Sequence, residues 1–139
     1  MKTEFLYFTK NDEIARVKKT IKKIEFLIPS WCEVLSFERY ETDGDDSAAS
    51  ITSAKRYRRI SINLYNTFFC AEKDQQTLIH ELLHSQLHEI QDFTQVLLKG
   101  VKQSDSFAYD LLENQYLENL EFFIEGMAHI VNRLTEEGK

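Results

Sequence analysis

The chain has 139 residues, a formal net charge of -6 and a 42% apolar fraction, which together indicate one folded domain, residues 1–139. No apolar run approaches the roughly 20 residues that span a bilayer, and the first residues lack the apolar core of a secretion signal. The acidic balance lacks the basic footprint that is typical of nucleic-acid-binding proteins. We therefore expect a cytoplasmic protein without membrane or nucleic-acid partners, in which Cys32 and Cys70 are buried thiols.

The first half of the chain predicts one helix and two strands. Apolar residues spaced by three and four, with lysines on the opposite face, predict a helix that begins at Asn11 and ends at Pro29. Residues 33–40 and 55–64 are rich in β-forming residues that partly alternate with polar ones, which predicts two strands in an antiparallel pair. The polar segment 41–50 between them is predicted to be a loop.

The second half of the chain predicts only helices. Residues 73–91 carry apolar side chains at helical spacing. Residues 92–103 predict a short helix that ends at Gly100. From Ser104 onward the pattern predicts either one long helix or two helices divided near Asn114. This order of elements predicts an α+β fold, in which a small antiparallel sheet packs on helices.

Three of the four histidines lie within nine residues of the predicted helix 73–91, and two of them form a metal-binding motif. His80 and His84 are four residues apart and therefore lie on the same face of a helix. Both imidazoles can then reach one tetrahedral Zn²⁺. Glu81 is offset from the pair and can address a water molecule in the open coordination position. This H-E-x-x-H sequence therefore predicts a zinc site in which Glu81 is the catalytic base.

A catalytic zinc ion takes three protein ligands, so the third must come from another part of the chain. His88 is a poor candidate because it lies two turns from His80, about 12 Å along a straight helix. The cysteines lie upstream without the paired spacing of zinc ligands. The last helix offers four candidate side chains: Glu118, Glu121, Glu125 and His129. The residues alone leave this choice open.

The H-E-x-x-H motif and the sequence from Glu121 to Ala128, E-F-F-I-E-G-M-A, resemble the gluzincin clan of zinc metallopeptidases over residues 57–135. The short chain is similar to the minigluzincins and to small phage and bacterial metallopeptidases, including the ImmA-type peptidases. The resemblance implies a zincin-like fold that cleaves a peptide or protein substrate. It also implies that Glu121 is the third zinc ligand, and that Glu125 orients a histidine ligand or is itself the alternative ligand.

The resemblance further implies that the strand before the motif helix, residues 57–64, is an open edge that pairs with an extended substrate. The chain departs from the clan in three respects, of which the first is that we expect it to lack the substrate-binding subdomain of the large gluzincins. Glu125 is longer than the usual Asp or Asn, and the sequence does not place Tyr109, Tyr116 or His129 as a transition-state stabiliser. The alternative interpretation is therefore a zinc-binding regulatory or interaction module that retains the site without cleaving peptides.

Overall fold

A computed structural model, which describes residues 1–43 and 47–138, has an α+β architecture, as predicted. Within those ranges there are four strands and five α-helices: β1 (Lys2–Leu6), α1 (Asn11–Ile24), β2 (Val34–Arg39), β3 (Ala49–Ala54), β4 (Arg59–Leu64), α2 (Asn66–Ala71), α3 (Asp74–Gln86), α4 (His88–Ser104) and α5 (Ser106–Glu137). Short 3₁₀ turns follow α1 at Glu25–Leu27 and β3 at Lys55–Tyr57. Among the helices of the described ranges, none has both the length and the apolar content that crossing a membrane requires.

The four strands form one mixed sheet in the order β1-β2-β4-β3. β1 pairs with β2 and β2 pairs with β4 in parallel, whereas β3 and β4 are antiparallel. The prediction of an antiparallel sheet is therefore wrong for two of the three pairings. The physical reason is that β3 reverses the chain once more than expected, so that β4 returns in the same direction as β2. Helix α1 supplies the crossover that the parallel pair β1 and β2 requires.

Strand β4 lies inside the sheet, between β2 and β3. Its backbone is therefore hydrogen-bonded on both sides, and the prediction that residues 57–64 form an open edge is wrong. The open edge beside helix α3 belongs to β3, which begins at Ala49 within the segment that was predicted to be a loop. Residues 44–46 of that segment lie outside the described residues.

The core lies between one face of the sheet and helices α1 and α3. The predicted helix in the first half is confirmed, and it buries Val17, Ile21 and Ile24. The sheet contributes the alternate side chains of its two central strands: Leu35, Phe37, Ile60, Ile62 and Leu64. Both cysteines are free thiols, and the prediction that both are buried holds for Cys32 but not for Cys70, which is exposed.

The helices of the second half divide at other places than predicted. The predicted helix 73–91 is interrupted at Leu87, so α3 ends at Gln86 and α4 begins at His88. Gly100 lies inside α4 and does not end it, because Asp105 makes the turn and accepts a hydrogen bond from the backbone N–H of Ala108 at 3.1 Å. Helix α5 is continuous from Ser106 to Glu137.

Candidate metal centre

Helix α3 turns the two motif histidines away from the core. Leu78, Ile79 and Leu82 are fully buried against the sheet, which fixes the rotation of the helix about its axis. The side chains of His80 and His84 lie on another face, toward α5, and remain 19% and 17% exposed. The ring centroids are 5.1 Å apart. The four-residue spacing thus places both imidazoles side by side, as predicted.

Helix α5 brings Glu121 to both histidines. Its Oε2 atom lies 3.4 Å from Nε2 of His80, and its Oε1 atom lies 3.0 Å from Nε2 of His84. One ligand atom from each of the three residues falls within 4.8 Å of the other two. The Nε2 atoms of both rings therefore point toward the same carboxylate.

These distances fit a tetrahedral zinc ion. With metal–ligand distances of about 2.0–2.1 Å, two ligand atoms of a tetrahedral site lie roughly 3.4 Å apart. The separations of 3.4 and 3.0 Å from Glu121 to the rings of His80 and His84 are close to this size, and they join two different oxygens of the carboxylate. Two neutral imidazoles and one carboxylate also form a donor set that catalytic zinc sites use. The residues present therefore fit the ion that the motif predicts.

Glu125 lies one turn after Glu121 and contacts the opposite nitrogen of His80. Its Oε2 atom is 2.9 Å from Nδ1 of His80. Gln76, one turn before His80, donates from Nε2 to Oε1 of Glu125 at 3.2 Å and also lies 3.2 Å from the ring of His129. Because Nδ1 is occupied in this way, the Nε2 atom of His80 is left to face Glu121. His129 contacts Glu125 and does not belong to the three-residue group.

Gln91 contacts the Nδ1 atom of His84, as Glu125 contacts that of His80. The sequence alone does not predict this contact. The Nε2 atom of Gln91 lies 3.4 Å from Nδ1 of His84, and a half-turn of the amide presents its oxygen to the same nitrogen. Gln91 lies in the first turn of α4, just after the interruption at Leu87. His88, at the start of α4, pairs with Asp92 at 3.1 Å and lies outside the three-residue group.

Glu81 is buried, with 9% of its surface exposed. Burial raises the pKa of its carboxyl to about 8, and the negative charge of Glu121 adds to this shift. Burial also lowers the pKa of His84, with a further contribution from His80, although the carboxylate of Glu121 opposes the change. Burial thus favours the neutral form of both side chains, and a neutral imidazole is the form that binds metal.

Two adjoining cavities of about 430 and 360 Å³ open at this centre, and both are lined by His80, Glu81 and Glu121. Strand β3 lines the larger one through Ser50, Ile51 and Ser53. Tyr109 donates a hydrogen bond to Glu113 on its own helix, and neither Tyr109 nor Tyr116 lines either cavity. His88 does line the larger one.

No protein-family model, curated protein or solved structure was found to match the chain.

Proposed function

We propose that the chain is a small zinc-dependent metallopeptidase. The observation that carries the proposal is the approach of Glu121, from α5, to Nε2 of His80 and His84, with the three ligand atoms within 4.8 Å of one another. Two imidazoles and one carboxylate that converge in this way form the donor set that a catalytic zinc ion takes. The buried carboxyl of Glu81 between the same histidines adds the group that hydrolysis needs.

His80, His84 and Glu121 would hold one Zn²⁺. The ion supplies a Lewis acid that polarises the scissile carbonyl and acidifies a bound water. The charge of a bound Zn²⁺ would favour the carboxylate form of Glu81, which would then accept a proton from the attacking water and deliver it to the leaving amine. Glu125 and Gln91 hold the two imidazoles through their Nδ1 atoms, so that both rings keep their Nε2 atoms turned inward.

The open edge of β3 supports a peptide as the substrate. This strand lines the larger cavity on the side opposite the histidines, and its pairing partner β4 occupies only one of its edges. An extended peptide that pairs with the free edge would pass across Glu81 and the two histidines. We therefore assign to β3 the pairing with substrate that the gluzincin resemblance implies for residues 57–64.

The experiment that tests the proposal combines metal analysis with a peptide-library digest. We expect about one zinc ion per chain and cleavage by the wild type. Glu81→Gln should keep the zinc and lose cleavage by a factor of about 10²–10⁴, because only proton transfer is removed. Asp110→Asn, an exposed change elsewhere on α5, is the control and should cleave normally. A chain without zinc, or full cleavage by Glu81→Gln, contradicts the proposal.

The second candidate is a zinc-binding regulatory or interaction module that does not cleave peptides. It is favoured by the position of Tyr109 and Tyr116, which line neither cavity and so offer no hydroxyl to an oxyanion. The same digest separates the two functions. Stoichiometric zinc without cleavage that depends on Glu81 supports the module and excludes the peptidase.

A further inference from the structure

Helix α5 carries an exposed apolar row that neither the core nor the metal centre uses. Seven uncharged residues spaced by three or four form this row, which we call the α5 stripe: Leu112, Tyr116, Asn119, Phe123, Met127, Ile130 and Leu134. Four of its side chains remain about half exposed: Leu112 at 49%, Phe123 at 56%, Ile130 at 45% and Leu134 at 58%. Because such residues share one helical face, the stripe is a continuous uncharged strip that is apolar except at Asn119 and at Tyr116, whose hydroxyl is buried.

The spacing of the α5 stripe is symmetric about Phe123. Its members follow one another at intervals of 4, 3, 4, 4, 3 and 4 residues, which read the same in both directions. If two copies of α5 lie antiparallel with Phe123 on the two-fold axis, Leu112 of one copy meets Leu134 of the other. In the same arrangement every other stripe residue also meets a stripe residue. A surface that is complementary to itself in this way is what a symmetric homodimer requires.

The charges of α5 lie off the stripe, although their acidic surplus opposes the approach of a second copy. The helix has seven acidic residues and one basic residue, yet none of them belongs to the stripe. Depletion of charge at the centre of a patch is typical of protein interfaces. The acidic surplus opposes docking on an anionic lipid surface, which attracts basic segments.

The size of the α5 stripe is sufficient for a specific contact. From Leu112 to Leu134 the stripe runs for about 33 Å. The four half-exposed side chains present roughly 400 Å² of apolar surface in each copy, or about 800 Å² in two. Stable interfaces bury at least about 1,200 Å², so the residues that flank the stripe would have to supply roughly a third of the contact. Helix α4 carries a second exposed apolar row, Ile90, Phe93 and Leu97, beside the first half of α5.

We propose that the chain forms a two-fold symmetric homodimer in which the α5 stripes of two copies pack antiparallel, with Phe123 against Phe123. The proposal does not depend on zinc or on peptide cleavage. Its occupant is a second copy of this chain, because the symmetric spacing lets each stripe residue meet a stripe residue of an identical helix.

Sedimentation equilibrium of the full chain at micromolar concentration is expected to give twice the monomer mass of 16.4 kDa. Phe123→Glu should return the mass to that of the monomer, since it places two like charges on the axis. Phe122→Glu is the matched control, because Phe122 is 71% exposed but points about 100° away from the stripe, and it should remain a dimer. Circular dichroism verifies that both variants keep their helices.

Cross-linking tests the register even if Phe123→Glu fails to fold. In a Cys70→Ser background, mild oxidation should link Phe123→Cys to itself but not Phe122→Cys. Leu112→Cys should link only when it is mixed with Leu134→Cys, because each faces the other across the axis. A wild-type monomer at 100 μM overturns the proposal, as does a dimer that Phe122→Glu dissociates equally. A monomer that floats with phosphatidylcholine vesicles also overturns it and assigns the stripe to a lipid surface.

Discussion

The carboxylate of Glu125 lies 2.9 Å from Nδ1 of His80, on the side of the ring opposite Glu121, which lies 3.4 Å from Nε2. The two glutamates therefore hold one imidazole from both sides and cannot exchange roles without a rotation of the ring. In the proposed zinc site, this relationship favours Glu121 as the metal ligand and Glu125 as the residue that orients His80.

Glu125→Gln should weaken zinc binding by about 10–100-fold without abolishing it, because the ring of His80 loses a charged partner but keeps its Nε2 atom. Glu121→Gln should weaken it much further, because it removes a proposed ligand. Competition with a chromogenic chelator measures both affinities, and Glu118→Gln, an exposed change on the same helix, is the control. A larger loss in Glu125→Gln than in Glu121→Gln would reverse the assignment.

Gln91→Ala should also weaken zinc binding, by up to about 10-fold. Its amide is neutral, so its contact with Nδ1 of His84 contributes less than the carboxylate of Glu125 contributes to His80. Gln103→Ala, an exposed change on the same helix, should leave the affinity unchanged. Equal affinities in Gln91→Ala and the wild type would show that His84 needs no support from α4.

The placements in the candidate site that follow from the sequence are those that depend on local helix geometry. His80, Glu81 and His84 follow from a spacing of four residues on one helix, and the structure brings them together. Glu121 and Glu125 share a helical face. Which of them faces the Nε2 atoms of the histidines, and which contacts Nδ1 of His80, depends on how α5 packs on α3. Gln91 follows His84 by seven residues and so shares its face in the predicted helix, but on a straight helix it lies about 10 Å away, which is why the spacing alone does not predict the contact.

The sheet was predicted less well for a related reason. Strand β3 has the sequence A-S-I-T-S-A, whose small polar residues are common in loops, and only Ile51 and Thr52 are β-branched. Its pairing with β4 stabilises it as a strand. Without β3 as a strand, the pattern of the remaining residues predicts neither the parallel direction of β4 nor its position inside the sheet.

Gly100→Ala should raise the free energy of unfolding by about 0.5–1 kcal/mol. Gly100 lies inside α4, and a methyl group added there meets nothing within 4 Å, so the gain in helix propensity has no steric cost. Urea denaturation measures the change. Gly138→Ala, beyond the end of α5, should have little effect. Destabilisation by Gly100→Ala would indicate that α4 ends near Gly100 after all.

The stability of the metal-free protein should fall as the pH rises from about 6.5 to 8.5. Burial holds the pKa of Glu81 near 8 in the folded chain, whereas an unfolded chain releases this proton near pH 4.5. In this window the folded state therefore binds one proton more, and the free energy of unfolding falls by up to about 1.4 kcal/mol per pH unit until the pH passes 8. The lowered pKa of His84 acts in the opposite direction, but only below about pH 6.5, the ordinary pKa of histidine.

Urea denaturation of chelator-treated protein at pH 6.5, 7.5 and 8.5 measures the slope. Glu81→Gln should flatten it, because the amide has no proton to release, and an equal slope in the variant would assign the effect to another group.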